Sequence, residues 1–138
     1  MIEPSGALEV TLDRSACFIA CPVYTVTIHR DGTVDWVGMD HVQVVGKAHG
    51  HIDRGGLQQL EVAIDATRFF ERDKQGRLQP PAQIWVCMDT STIVVTVTRG
   101  ANAHTVEDDQ CHSDQDLVTF ERLIDTIANT AQWIGPML

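Results

Sequence analysis

The four cysteines are the residues of this chain with the widest choice of chemistry, and their spacing narrows that choice. The stretch CFIACPVYTV places Cys17 and Cys21 four positions apart and follows them with Pro22. This is not the two-residue gap of a thioredoxin-type redox motif or of most zinc knuckles. Because Pro22 stops a helix from continuing through the pair, we expect a turn between two strands, clipped by a structural disulfide.

The second pair, Cys87 and Cys111, flanks a predicted hairpin turn at Gly100–Ala101 almost symmetrically. A small bulge would place the two side by side, and closing this loop of roughly 25 residues would contribute about 3.5 kcal/mol in the chain-entropy model. The short Cys17–Cys21 loop would contribute only about 2 kcal/mol. We therefore predict disulfides Cys17–Cys21 and Cys87–Cys111, with free structural thiols as an alternative.

A metal site is the other chemistry open to these residues. A structural zinc site needs several ligands, usually as close pairs. The candidate ligands would be Cys17, Cys21, Cys87 and Cys111. His112 is a poor substitute beside Cys111, because adjacent residues on a strand point to opposite faces. His49 and His51 would share a side if extended, but we interpret their segment, KAHGHIDRGG, as a polar loop.

Other catalytic patterns are not evident in the sequence. It has no dinucleotide-binding glycine motif, no phosphate loop, no nucleophile elbow and no zinc-protease helix motif. The acidic stretch VEDDQCHSDQD does not match the EF-hand spacing and lacks its glycine, so we interpret it as a solvated loop. Asp89 stands beside several hydroxyls, where turn capping explains it better than nucleophilic catalysis. We expect a non-enzymatic protein without a cofactor.

The composition of the chain excludes some classes of binding partner. The 138 residues form one expected domain, 1–138. Ten Lys and Arg against nineteen Asp and Glu give a net charge of −9, which argues against nucleic acid because phosphate binding needs clustered cations. No apolar run approaches the roughly 20 residues of a membrane-spanning helix. The tryptophans are expected in or beside the core, namely Trp36, Trp85 and Trp133.

Strand patterns position these residues in the first half of the chain. ALEVTLDR alternates apolar and polar side chains, which is typical of a half-buried strand. Asp31-Gly32 separates two further alternating runs and predicts a hairpin. A three-residue loop, 30–32, with a left-handed Gly32, sets Val26 opposite Trp36, whereas a two-residue loop would face apolar side chains with polar ones. HVQVVG, residues 41–46, is a candidate for another strand.

Helical periodicity appears twice. One amphipathic helix is expected from Gly56 to about Phe70, and a second from a capping box at Ser113 and Asp116 to the stop at Gly135. Between them, QIWVCMD, followed by two Thr/Val-rich runs, predicts three strands. The element order indicates an α+β fold: an antiparallel sheet built from hairpins with two amphipathic helices packed on one face.

The run Cys17-Phe18-Ile19-Ala20-Cys21-Pro22-Val23-Tyr24, followed by the Asp31-Gly32 hairpin and a strand ending at Gly38, resembles a bacterial family of unknown function. That family has a Cys-Phe-Gly-x-Cys-Pro-x-Tyr signature, and the likeness extends over about residues 8 to 134. Ile19 stands where the family tends to have glycine. The resemblance implies a fold but no activity. Many members resemble exported or lipid-anchored proteins, which would suit disulfides.

We therefore expect a small acidic binding module, stabilised by disulfides, whose partner is an unknown protein or small molecule. The alternative is a Cys/His metal-binding or thiol-redox module. The start of the chain, MIEPSGALEV, lacks the pattern of a secretory leader, whereas paired cysteines favour a periplasmic or exported protein. Intact mass with and without reductant, which reports disulfides, and metal analysis, which reports ligands, separate the binding module from the metal-binding or thiol-redox module.

Overall fold

A computed structural model describes residues 8–79, 87, 90–111 and 113–136. It contains a six-stranded antiparallel sheet in the order β4-β3-β2-β1-β5-β6. The strands are β1 (Leu8–Arg14), β2 (Val23–Ile28), β3 (Thr33–Asp40), β4 (Gly46–His51), β5 (Ile93–Arg99) and β6 (Asn102–Asp108). The helices are α1 (Arg54–Ala66), α2 (Gln115–Ala128) and the short α3 (Ala131–Ile134). The expected α+β architecture is confirmed.

The helices cover one face of the sheet because alternate strand residues on that face are apolar. In β1 the buried positions are Leu8, Val10 and Leu12, and the same alternation recurs in β2 and β5. Helix α2 supplies Leu117, Phe120 and Ile124 to the same core. The opposite face carries mainly threonines and charged side chains, as expected for an antiparallel sheet that faces water on one side.

The first hairpin has the predicted three-residue loop. Val26 lies opposite Trp36 and Ile28 opposite Val34, and Gly32 has a φ of 90°. A Cβ atom at Gly32 would lie 2.5 Å from the carbonyl oxygen of Ile52. Glycine is therefore required here by both the left-handed backbone and the close contact.

The strand predicted over 41–46 is wrong, and so is the polar loop after it. Residues 41–45 form a turn whose backbone N–H groups bond α3 and its end: Gln43 N to Ile134 O and Val44 N to Trp133 O, at 3.0 and 2.9 Å. The strand β4 begins at Gly46 instead and pairs with β3. Its inward side chains are small, and Trp133 fills the space above Gly50, where a Cβ would be 3.0 Å away. Because its inward residues are small, this strand lacks the apolar alternation that predicts a strand from sequence.

The predicted helices differ at their ends. Helix α1 begins two residues earlier than expected, capped by the Asp53 side chain, and ends at Ala66. Left-handed Arg68 then leads into a 3₁₀ turn, Phe69–Glu71. The second helix is capped by Asp114, whose carboxylate accepts from Leu117 N, and not by Ser113.

The helix predicted to run on to Gly135 is two helices. Asn129, with a φ of 56°, ends α2, and α3 follows after Thr130.

The turn at Gly100–Ala101 in the β5–β6 hairpin is as predicted. The strand predicted at 83–89, with Trp85 and Asp89, lies outside the described residues except for Cys87. No helix in the described part of the chain has the length and hydropathy that a membrane span requires.

Candidate functional site

The last inward-facing row of the sheet, next to the Cys17–Cys21 loop, is polar. Arg14 continues the buried side of β1 and lies opposite Tyr24 on β2 and Ile93 on β5, which in turn faces Asp108 on β6. Above this row, α2 presents two acids four residues apart, Glu121 and Asp125. Residues at this spacing share one face of a helix, so the row and the helix place five polar side chains at one end of the core.

Arg14, Tyr24 and Asp125 form a closed hydrogen-bond network. Arg14 Nε donates to the Tyr24 hydroxyl at 2.8 Å, and Arg14 Nη2 donates to Asp125 Oδ2 at 2.6 Å. The Tyr24 hydroxyl donates to Asp125 Oδ1 at 2.5 Å, and Thr130 Oγ1 donates to the same oxygen at 2.8 Å. Both Asp125 oxygens are thus occupied. Arg14 Nη1, in contrast, donates to no group among the described residues.

The network fixes the charges of its members. Burial lowers the pKa of Arg14, but the Asp125 carboxylate and the Tyr24 hydroxyl outweigh burial and raise that pKa above its ordinary value. Burial, followed by the adjacent Asp125 charge, raises the pKa of Tyr24 well above its usual range. The phenol therefore stays a neutral donor, and the guanidinium stays a cation bound to a carboxylate.

A buried pair of acids lies beside this network. Asp108 is fully buried and Glu121 is 2% exposed. Asp108 Oδ1 accepts from Gln110 N and from the Ser113 hydroxyl, each at 2.8 Å. Asp108 Oδ2 and Glu121 Oε2 have no donor among the described residues. Burial, followed by the hydrogen bond to Asp108, raises the pKa of Glu121 to about 10, so Glu121 stays neutral at ordinary pH.

This pair corrects the prediction for the acidic stretch. VEDDQCHSDQD was expected to be a solvated loop, but Asp108 has no exposed surface. The reason is its place at the end of β6, on the inward side of the strand and beneath α2. Beyond it, Gln110 has a left-handed backbone and is exposed.

A groove opens above the Arg14–Tyr24–Asp125 network, which we call the Arg14 groove. Its cavity has a volume of about 550 Å³, within the roughly 300–1,000 Å³ of ligand pockets. Its wall includes the turn between α2 and α3. The lining residues are Arg14, Pro22, Tyr24, Asp125, Thr126, Asn129, Thr130, Ala131, Ile134 and Gly135.

A second cavity of about 360 Å³ continues on the other side of Arg14 and Pro22, which line both spaces. Cys17 and Cys21 form part of its wall, together with Thr90, Ser91 and Gln110. At the tip of the loop between the cysteines, Phe18 and Ile19 are each 78% exposed. The disulfide loop therefore forms part of the wall of this cavity and also carries an exposed apolar tip.

The predicted cysteine chemistry can be placed on this structure. Cys17 is bonded to Cys21 and Cys87 to Cys111, with Cα–Cα distances of 5.6 and 5.5 Å. Ile19 is not among the described residues with positive φ, so its loop does not need the glycine of the family signature. Within the described ranges, no group of three His, Cys, Asp or Glu side chains is arranged to hold a metal ion.

The other predicted candidates lie elsewhere. His49 and His51 are on β4, far in register from Arg14. His49 Nδ1 lies 2.9 Å from Asp35 Oδ1, and His29 Nε2 lies 2.7 Å from Asp35 Oδ2. The Asp35 hydrogen bond raises the pKa of His29, and the His29 hydrogen bond lowers that of Asp35. These pairs lie on the water-facing side of the sheet, and His112 lies outside the described residues.

Sequence reasoning missed Arg14, Glu121 and Asp125, although a signal was present. Arg14 follows Leu8, Val10 and Leu12 in the inward alternation of β1. Glu121 and Asp125 flank the apolar stripe of α2. Charged residues at inward positions need partners, so three charges on two buried faces predict that those faces meet.

A search of curated proteins found no match to this chain. A family model described as a domain of unknown function (DUF6438) matches residues 8–128, which include every strand, helix α2, both disulfides and the polar residues at the floor of the groove. The chain therefore belongs to this family of domains of unknown function.

Proposed function

We propose that this domain is a binding module whose ligand occupies the Arg14 groove. The observation that carries the proposal is the state of Arg14: its Nε and Nη2 are fixed by Tyr24 and Asp125, whereas Nη1 has no acceptor among the described residues and the side chain lines two cavities. A donor held rigidly at the floor of a partly apolar groove is the arrangement that orients a ligand. No step of chemistry is required of it.

We further propose a bacterial protein that works in an oxidising compartment, either periplasmic or exported. Two disulfides support this, because such bonds persist where thiols are oxidised. Non-reducing peptide mapping of protein taken from its native compartment tests the proposal. Four free thiols there would contradict it.

Binding in the groove can be tested with a fragment library and the ¹⁵N-labelled full chain. We expect fragments that bind to shift the backbone amides of Asn129, Ala131 and Gly135 more than those of the outer sheet face. Ala131 is exposed and lines the groove, so Ala131→Gln should obstruct it without disturbing the core.

The matched control is Ala103→Gln, which places the same side chain on the outer face of β6, where Ala103 is also exposed. Fragments should bind this variant as they bind the wild type. Fragments that bind equally well to the Ala131→Gln variant, or whose shifts lie away from the groove, would contradict the proposed function.

A further inference from the structure

Resting on the groove as the binding site, we infer that its ligand is an uncharged, extended peptide segment. A backbone carbonyl of that segment accepts from Arg14, and an apolar side chain packs against Pro22 and Ile134. Hydrogen-bond capacity, charge and shape each lead to this class of ligand.

Hydrogen-bond capacity requires a ligand that accepts. Asp125 Oδ1 is used by Tyr24 and Thr130, and Asp125 Oδ2 accepts from two nitrogens of Arg14, at 3.2 and 2.6 Å. The Tyr24 hydroxyl both donates and accepts. Arg14 Nη1 has no acceptor among the described residues, and a guanidinium nitrogen can only donate. The ligand group above it must therefore be an oxygen or nitrogen acceptor.

Charge favours an uncharged acceptor. The positive charge of Arg14 is already balanced by Asp125 at 2.6 Å. Asp108 and Glu121 lie in the same buried cluster, and both Asp108 and Asp125 contribute to the raised pKa of Glu121. An anionic ligand would add a further negative charge near these carboxyl groups, on a chain with a net charge of −9. A carbonyl oxygen accepts the same hydrogen bond without this repulsion.

Shape favours an extended segment over a compact molecule. The two cavities, of about 550 and 360 Å³, share Arg14 and Pro22 in their walls. A chain crossing this point would have its middle carbonyl above the guanidinium and one side chain in the larger cavity. Pro22, Ala131 and Ile134 offer apolar contacts on that side. Beyond the smaller cavity, exposed Phe18 and Ile19 prolong the apolar surface.

Three small probes that share one apolar side chain test the ligand class. They are N-acetyl-leucine N-methylamide, which is uncharged, N-acetyl-leucine, which carries a carboxylate, and leucinamide, which carries an ammonium group. Each is titrated into the ¹⁵N-labelled full chain at constant pH and ionic strength. The wild type, Ala131→Gln and Ala103→Gln are compared by the shifts of the Asn129, Ala131 and Gly135 amides.

We expect the uncharged methylamide to bind with a Kd of about 1–10 mM, as befits so small a ligand. N-acetyl-leucine should bind about fivefold more weakly because of its charge. Leucinamide should be weaker too, because it has lost the acetyl carbonyl. Ala131→Gln should weaken the methylamide about tenfold or more by obstructing the groove, and Ala103→Gln should leave it unchanged.

Two results would overturn the inference and still leave the groove as a binding site. One is tighter binding of N-acetyl-leucine than of the methylamide, which would assign an anionic ligand. The other is fragment binding in the groove with no methylamide shifts at the highest soluble concentration. Failure of every fragment to bind there would instead reject the proposed function itself.

Discussion

Two arginines of this domain are tied to α2 by carboxylates, yet they have different roles. The Arg72 side chain has no exposed surface, and it forms paired bonds to Asp114, from Nη1 at 2.8 Å and from Nη2 at 3.1 Å. Its Nε donates to the carbonyl of Thr67 and its Nη1 to that of Gly76. The Arg14 side chain is 21% exposed and lines the Arg14 groove, and its Nη1 has no acceptor among the described residues.

The difference separates a structural arginine from one suited to recognition. Arg72 connects the end of the 3₁₀ turn to the N-cap of α2, and every nitrogen of its guanidinium donates a hydrogen bond within the protein. Arg14 is bonded through Nε and Nη2, but its Nη1 has no acceptor among the described residues. Both residues are arginines with the same charge. The candidate site is therefore distinguished by a hydrogen-bond donor that the described residues leave unused, and not by charge.

Replacing Arg72 should give the largest loss of stability. Arg72→Met removes the guanidinium that binds Asp114 and that donates to two buried carbonyl groups. We expect it to lower the free energy of unfolding by about 3–5 kcal/mol. Chemical denaturation monitored by circular dichroism measures this. Arg68→Met is the control, because the Arg68–Glu71 pair is on the surface, and its midpoint should stay near that of the wild type. If Arg72→Met lowered the free energy of unfolding no more than Arg14→Met does, the distinction between the two arginines would be wrong.

We expect the two disulfides to differ as the two arginines do, one supporting the fold and the other the groove. Replacing Cys87 and Cys111 by serine opens a link of sequence separation 24 and should cost about 3.5 kcal/mol. Replacing Cys17 and Cys21 opens a link of separation 4 and should cost about 2 kcal/mol or less. We expect the second variant, and not the first, to change the amide shifts of the groove. The opposite ranking by thermal denaturation would show that the short loop is the structural one.

Arg14→Met should destabilise the domain by about 2 kcal/mol, less than Arg72→Met, because partly exposed ion pairs are weakened by solvent. Asp125 keeps the Tyr24 and Thr130 donors in this variant. Denaturation of both arginine variants in the same buffer provides the comparison. If the domain with Met at position 14 still bound the uncharged methylamide at wild-type strength, Arg14 would have no part in recognition.

The two regions should also respond to pH in opposite directions. The Arg72 hydrogen bond lowers the pKa of Asp114, so that interaction stabilises the fold above the ordinary pKa of the carboxyl group and is lost as pH falls. The pKa of Glu121 rises from 4.5 to about 10. Its contribution is therefore complete below about pH 4.5 and is lost as pH rises toward about 10.

Glu121→Gln should remove this second dependence, since glutamine stays neutral and can donate to Asp108. Relative to the wild type, we expect the variant to gain about 1.4 kcal/mol of stability for each pH unit between pH 5 and pH 8. Urea denaturation at several pH values measures the gain. Glu107→Gln, on the outer face of β6, should run parallel to the wild type. A stability difference that does not change with pH would show that Glu121 is ionised in the folded protein.

Period-two alternation and turn chemistry were enough to predict β1, the Gly32 hairpin and its register, because each of these depends on neighbours in sequence. Strand β4 was missed because its inward residues are small and its apolar contacts come from Trp36 and Trp133. The groove was missed for a related reason. Arg14 and Asp125 are 111 positions apart, and only the packing of α2 on β1 brings them together.

The tilted contact between Trp133 and Trp36, with ring centroids 5.3 Å apart and planes inclined by 32°, has an optical consequence. Trp133 is the buried residue of α3, and α3 carries one side of the Arg14 groove. Two indoles this close and inclined couple their electronic transitions when excited by ultraviolet light. Any departure of α3 from the sheet would separate the two chromophores, so the groove has a built-in spectroscopic reporter that needs no added label.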